Sequence, residues 1–185
     1  DALDFAKMYD ASLSHHKSGS LWGGNHQSAK SAMLIFITNN REFVRSMFRD
    51  LFSEQKDLIM RIERFQFHCD QLLEEVRKRN KKINHHHHHD FYMPTLYLSM
   101  RYPLRYCPYE RENFSVILRE LEVKDVNYVT LDRFLKVTNI CQSQLMQEPE
   151  IPKLLRSKIH LDHSELYESK FLSYEFFQFV SRISP

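Results

Sequence analysis

Apolar residues recur at steps of four and three along the segment from Val44 to Val76. This spacing places their side chains on one face of an α-helix, as in a heptad repeat. It predicts one long amphipathic helix over residues 40–80, interrupted on that face only by polar Gln55. Ser53 could instead cap a second helix and divide the run, but the unbroken register favours a single helix.

The apolar face of this helix, here called the stripe, is the predicted surface for a partner protein. Its members are Val44, Phe48, Leu51, Leu58, Ile62, Phe65, Leu72 and Val76. A helix of about 40 residues is about 60 Å long, and a small domain rarely buries so long a face. We therefore expect part of the stripe to bind another protein, the remainder of a larger chain, or a second copy in an oligomer.

Prolines and aromatic residues separate this helical region from a second one. The segment 91–109 is rich in tyrosine and contains three prolines, and prolines at this density interrupt helices. A short helix over 95–101 remains compatible with the pattern. The chain is therefore expected to comprise an N-terminal helical region over 1–90, a connector over 91–109 and a helical domain over 110–185. The predicted fold class is all-α.

The C-terminal domain contains one pattern twice. In each copy a predicted helix is followed by a mostly polar stretch, one apolar residue, a Ser or Thr that can cap the next helix, and a phenylalanine. The last three of these are Val129, Thr130 and Phe134 in the first copy, and Leu172, Ser173 and Phe177 in the second. A repeat of this kind favours two similar helix–loop–helix units.

The repeated pattern resembles the EF-hand family over residues 110–184. The resemblance implies that Val129 and Leu172 pair through a short β-bridge between the two loops. It also implies that Phe134 and Phe177 enter a shared core. The expected architecture is thus a long amphipathic helix packed with a C-terminal pair of EF-hand-like units.

The calcium-binding positions depart from the family. Calcium takes six to eight oxygen ligands, including a bidentate acid at the twelfth loop position. The early ligand positions hold Glu122, Lys124 and Val126 in the first loop and Glu165, Tyr167 and Ser169 in the second; the twelfth positions hold Arg133 and Phe176. Cations at Lys124, Arg133 and Lys170 would repel Ca²⁺. Both loops are therefore predicted to be free of metal.

Composition excludes several classes of protein. All three glycines lie between positions 19 and 24, so the rest of the chain lacks the glycine-dependent loops of nucleotide-binding proteins and hydrolases. The net charge of +2 does not demand a nucleic acid or an anionic membrane as partner. No apolar run approaches the roughly 18 residues of a transmembrane helix. The three cysteines are too sparse for a disulfide framework, so an intracellular location, cytoplasmic or nuclear, is expected.

No catalytic, cofactor-binding or metal-binding residue is assigned from the sequence. His160 and His163 flank Asp162, but no third ligand is indicated, so a surface loop is expected there. The five histidines over 85–89 could be natural low complexity or an artificial addition, and they receive no function.

Cysteine and basic residues also receive structural interpretations. Cys69 lies on the same predicted helical face as the stripe, so it is expected to be a small buried hydrophobic residue. Cys107 has no histidine nearby in the sequence and is not expected to act as a nucleophile. The basic cluster over 77–82 is expected to be a solvated helix end, where cations complement the helix dipole.

These observations favour a non-enzymatic interaction or scaffold module. One alternative is a calcium-responsive regulatory domain of a larger enzyme or channel, which Ca²⁺ would stabilise. Another is a helical domain that binds nucleic acid through the cluster at 77–82, and such binding would weaken strongly with salt.

Overall fold

Helices are the regular secondary structure of the described residues. The computed structural model describes residues 4–14, 21, 26–81, 83–123 and 130–184, and no strand occurs within those ranges. The predicted all-α class is therefore confirmed for this part of the chain. The chain divides into two compact units, Asp1–Pro94 and Thr95–Pro185. None of the helices described is long and apolar enough to cross a membrane.

Unit 1 is built from four described helices. They are α1 (Phe5–Ser12), α2 (His26–Asn39), α3 (Arg41–Leu51) and α4 (Leu58–Arg79). Aspartates begin two of them: the side chain of Asp4 accepts the N–H of Lys7 in α1, and that of Asp57 accepts the N–H of Met60 in α4. Such caps satisfy backbone donors that the first turn of a helix leaves without partners.

A turn over residues 52–57 divides the predicted long helix in two. The prediction of one helix over 40–80 is therefore wrong, and Asp57 rather than Ser53 is the cap of the second helix. The turn allows α3 to pack against α4, and the rings of Phe48 and Phe65 meet with centroids 5.3 Å apart.

The stripe forms the core of unit 1. Every stripe residue except Leu58 is buried, and Leu58 is half-buried at the start of α4. The interpretation of the stripe as a partner surface is thereby corrected. Two shorter helices joined by a turn cover each other's apolar faces, which one straight helix could not do.

A fifth helix, α5 (Tyr92–Arg101), contains the boundary between the two units. Pro94 lies in its first turn, where the missing N–H costs no helical hydrogen bond. In unit 2 the segment after α5 is not helical, but Tyr106, Cys107 and Tyr109 are buried. The N–H of Tyr109 donates to Thr95 Oγ1 at 2.9 Å, which fixes this segment to α5.

The rest of unit 2 consists of four α-helices and one 3₁₀ helix among the described residues. They are α6 (Arg111–Glu120), α7 (Leu131–Gln147), α8 (Glu150–Lys158), the 3₁₀ helix (Leu161–Glu168) and α9 (Phe171–Ile183). The core joins Phe114, Phe134 and Phe177, whose ring centroids lie 5.2 to 6.3 Å apart. Thr130 caps α7 by accepting the N–H of Arg133 at 3.3 Å. Residues 124–129, including Val129, lie outside the described residues.

The second copy of the repeated pattern folds differently from the expectation. Helix α9 begins at Phe171, so Leu172 is helical and half-buried, not a loop residue placed for a β-bridge. Ser173 lies within the helix, fully buried, and donates to the carbonyl of Thr138 and to Gln142 Oε1. Its predicted role as an N-cap is therefore wrong, because the hydroxyl bonds to α7 and not to its own helix.

Candidate functional site

Helix α8 is incompletely covered by the rest of unit 2. None of its nine residues is buried. Ile151 and Leu155 are half-buried, as is Ile159 at its C-cap, and they recur every four residues on one face. Leu154 is 56% exposed. A helix this short is marginal in water by itself, so further cover on its apolar face would stabilise it.

An open groove of about 460 Å³ lies beside that face. Helix α8, the 3₁₀ helix, the start of α9 and the end of α5 supply mostly apolar side chains to it. The apolar lining residues are Met100, Pro103, Leu155, Ile159, Leu166, Phe171 and Leu172. Tyr167, Ser169 and Glu175 add polar groups. We call this feature the unit 2 groove.

Hydrogen bonds between separate segments hold the floor of the unit 2 groove in place. Gln142 Nε2 donates to the carbonyl oxygens of Ser169 at 3.1 Å and Glu168 at 3.3 Å. The N–H of Lys170 donates to the carbonyl of Pro103 at 2.8 Å. Because these bonds connect α7, the connection before α9 and the segment after α5, the groove is a formed feature and not a gap between loosely packed helices.

Charges at the groove have an uneven distribution. Glu175 is exposed, and it is the only charged side chain among the described residues that line the groove. On α8, Lys153 pairs with Glu150 at 2.8 Å, and both are exposed. A binding partner would therefore meet an apolar floor with a carboxylate at one side.

His160, Asp162 and His163 lie close together in the chain beside the groove. His160 Nδ1 lies 3.2 Å from Asp162 Oδ2, and both side chains are about four-fifths exposed at 78% and 83%. His163 donates its backbone N–H to the carbonyl of His160. Within the described residues, no group of potential metal ligands includes these three side chains.

The cysteines are poor candidates for nucleophiles. Burial raises the pKa of the Cys69 thiol, and the charge of Asp70 raises it further. Burial also raises the pKa of Cys107 to about 12, and that of the half-buried Cys141 is raised for the same reason. A nucleophilic cysteine needs a lowered pKa, because the thiolate is the reactive form.

The basic cluster lies where the sequence places it. Arg77, Lys78 and Arg79 occupy the last turn of α4 and are exposed. Arg79 Nη1 lies 3.4 Å from Asn39 Oδ1. Lys82 lies outside the described residues.

Comparison with known proteins identifies no relative. No family model, no curated protein and no solved structure matches the chain.

Sequence reasoning missed the unit 2 groove although one signal for it was present. Ile151, Leu155 and Ile159 recur every four residues, with Pro152 directly after the first of them. That repeat indicates an amphipathic helix, but it does not indicate how much of the apolar face the rest of the domain covers.

Proposed function

We propose that this chain is a non-enzymatic interaction module, and that the unit 2 groove binds the apolar face of an amphipathic helix from a partner protein. The observation that carries the proposal is helix α8, which has no buried residue and borders an apolar groove. Binding of a helix in such a groove buries apolar surface on both partners, and this burial is the main driving force for association.

The shape and charge of the groove favour a helix with a basic flank. Leu155 and Ile159 lie one turn apart on α8, so they match apolar side chains spaced three or four residues apart on the partner. Glu175 would meet a lysine or arginine at the edge of that helix. Such a charge contributes mainly to orientation and to the rate of association.

The EF-hand-like interpretation of residues 110–184 belongs to the same proposal. The buried contact between Phe134 and Phe177 supports it, with ring centroids 6.2 Å apart. The helical position of Leu172 departs from the family pattern. In this interpretation the units act without calcium, so the groove is always available and the module acts as a scaffold.

A photo-crosslinking experiment tests the binding site directly. A benzoylphenylalanine at position 154 would stand at the edge of the groove, and one at position 140 would stand on α7, where Ile140 is 62% exposed. We expect position 154 to crosslink a specific protein in native extract, and position 140 not to do so. Mass spectrometry of the crosslink identifies the contacted segment, which is then synthesised as a peptide.

Binding of that peptide to point variants completes the test. We expect Leu155→Asp to weaken binding by more than about tenfold, since a charge would enter the apolar floor. Glu175→Lys should weaken it less, and Ile140→Asp should leave it unchanged. Equal crosslinking from positions 154 and 140, or a contacted segment without an amphipathic pattern, would reject the proposal. A crosslink to a second copy of this chain would instead show an oligomer.

A further inference from the structure

Two of the five histidines over 85–89 are part of the core of unit 1. His86 and His88 have no exposed surface, whereas His85 and His89 are exposed. The ring of His86 lies 6.4 Å from that of Phe36, and the ring of His88 lies 6.0 Å from that of Phe65. Two histidines of the run are therefore enclosed by the hydrophobic side chains of α2 and α4.

Cys69 on α4 lies beside these two histidines. One potential ligand atom from each of Cys69, His86 and His88 lies within 4.8 Å of the other two, and all three residues are buried. Ligand atoms around one Zn²⁺ lie about 3–4 Å apart, so small side-chain adjustments bring them to an ion. One thiolate and two imidazoles suit Zn²⁺ and exclude the oxygen-preferring ions Mg²⁺ and Ca²⁺.

Hydrogen bonds orient both imidazoles for binding. His88 Nδ1 donates to the carbonyl of His86, which leaves the lone pair of His88 on Nε2. His86 Nδ1 accepts the N–H of His88 at 3.0 Å, so its proton is on Nε2 and is donated to Asp70 Oδ1 at 3.0 Å. Histidine ligands of metals usually donate their second nitrogen to a carbonyl or a carboxylate in this way.

The two imidazoles are in the protonation state that metal binding requires, whereas the Cys69 thiol keeps its proton in the metal-free chain because burial raises its pKa. Burial lowers the pKa of His86 and that of His88, so both rings are neutral at pH 7 and keep a lone pair. Zn²⁺ would displace the proton of the Cys69 thiol to solvent and form a sulfur–zinc bond. The negative charges of the Cys69 thiolate and of Asp70 would then balance the ion.

We propose that Cys69, His86 and His88 form a binding site for Zn²⁺ that stabilises unit 1. Asp70 is a positioning residue, which acts on the ion through His86. The ion would bind to His86 Nδ1 in place of the N–H of His88. The site is independent of the unit 2 groove, so either proposal can fail without the other.

A second arrangement of ligands lies nearby and is less suitable. Asp70, His86 and His89 also have ligand atoms within 4.8 Å of one another. A metal at His86 Nε2 would move the ring proton to Nδ1, where it would face the N–H of His88. Binding of a metal by Asp70, His86 and His89 therefore requires both a change of the His86 tautomer and the loss of a hydrogen bond. Binding by Cys69, His86 and His88 requires only the loss of a hydrogen bond at His86.

Cobalt substitution tests the site, because Co²⁺ reports its ligands by absorption. We expect the metal-free chain to bind one Co²⁺ with the intense visible bands of a tetrahedral site and a thiolate-to-cobalt charge-transfer band. Zn²⁺ should displace the cobalt and raise the Tm of the protein. The doubly substituted Cys107→Ala/Cys141→Ala variant should retain the charge-transfer band, since Cys69 is then the sole thiol.

Matched variants separate the buried site from the exposed histidines. Cys69→Ala should abolish the charge-transfer band, and His88→Gln should weaken Zn²⁺ binding by more than about tenfold, with folding checked by circular dichroism. His85→Gln/His89→Gln should retain both signals. Asp70→Asn should keep the band but weaken Zn²⁺ binding by about 10- to 100-fold. Cobalt binding without a thiolate band in the Cys107→Ala/Cys141→Ala variant, or binding lost on replacing His85 and His89, would overturn the proposal.

Discussion

Arg61 and Glu54 form an ion pair inside unit 1, with 2.7 Å between Arg61 Nη1 and Glu54 Oε1. The same nitrogen donates, at 2.8 Å, to the carbonyl of Leu51, the last residue of α3. The Arg61 side chain is 3% exposed and that of Glu54 is 19% exposed. One guanidinium thus connects the end of α3, the turn and the first turns of α4.

Replacement of Arg61 by methionine should destabilise unit 1. The change keeps much of the apolar length of the side chain but leaves Glu54 and the Leu51 carbonyl without this donor. We expect a loss of about 3 kcal/mol in the free energy of unfolding, as for other broken buried pairs. Urea unfolding followed by circular dichroism measures it.

Arg64 offers the matched control for Arg61. Its Nη1 lies 3.5 Å from Asp50 Oδ2, and its side chain is 47% exposed. Exposed ion pairs contribute little, so Arg64→Met should change the free energy of unfolding by less than about 0.5 kcal/mol. Equal effects of the two substitutions would contradict the role given to Arg61.

Replacement of Ser173 by alanine should destabilise unit 2. Its buried hydroxyl lies 2.9 Å from Gln142 Oε1 and 3.2 Å from the carbonyl of Thr138. The substitution leaves a buried acceptor without its donor, at a cost of about 1–2 kcal/mol. Ser157→Ala, on the exposed side of α8, should be nearly neutral. If Ser173→Ala changed the Tm as little as Ser157→Ala does, the Ser173 hydroxyl would not connect α7 and α9 in solution.

Acidification should destabilise metal-free unit 1 through its buried histidines. Burial and the neighbouring histidines 86, 87 and 89 lower the pKa of His88 from 6.5 to about 3. Below pH 6.5 the unfolded chain binds a proton that the folded chain does not. The contribution of His88 to the free energy of unfolding is therefore fully present above pH 6.5. It is lost as the pH decreases toward 3, by at most about 1.4 kcal/mol per pH unit for one histidine.

Urea unfolding at a series of pH values measures this dependence. His88→Gln should flatten the slope between pH 6.5 and pH 3, because glutamine cannot take up the proton in the unfolded chain. His85→Gln, at an exposed position of the same run, should keep the slope. A wild-type protein with equal stability throughout this range would show that His88 is not held neutral by the fold.

Calcium should leave the thermal stability of the metal-free protein unchanged. Arg133 stands where the EF-hand pattern requires a bidentate acid, and a cation there opposes Ca²⁺ binding. Differential scanning calorimetry with and without Ca²⁺ tests this, and Mg²⁺ controls for general effects of a divalent salt. A rise in Tm with Ca²⁺ alone would favour the calcium-responsive alternative.

The sequence predicted which residues are apolar on a helix better than it predicted what covers them. The periodicity of the stripe correctly places its residues on helical faces, but it does not show that the chain turns back on itself and covers them. The exposed Gln55 was the signal for that turn, since it interrupts the stripe between α3 and α4. Thr130 was predicted as a cap, and it caps α7.

Other features depend on contacts between distant segments. Ser173 follows the same local pattern as Thr130, but its hydroxyl is used by α7. Five identical histidines have no pattern of polar and apolar residues, so the sequence does not indicate that His86 and His88 are the buried ones. The unit 2 groove depends on how far α8 lies from α5 and α9, and no local rule gives that distance.

The packing of the histidine run against α4 constrains how many residues the run can have. Gln66 donates to the carbonyls of His89 and Asp90, and Asp70 accepts from His86, so both ends of the run are attached to α4. Deletion of any one of the five histidines yields the same shortened sequence. The shortened run could keep the hydrogen bonds to Gln66 or the hydrogen bond to Asp70, but not both at their present positions. Loss of one histidine would therefore disturb the packing of unit 1, although it hardly changes the composition of the chain.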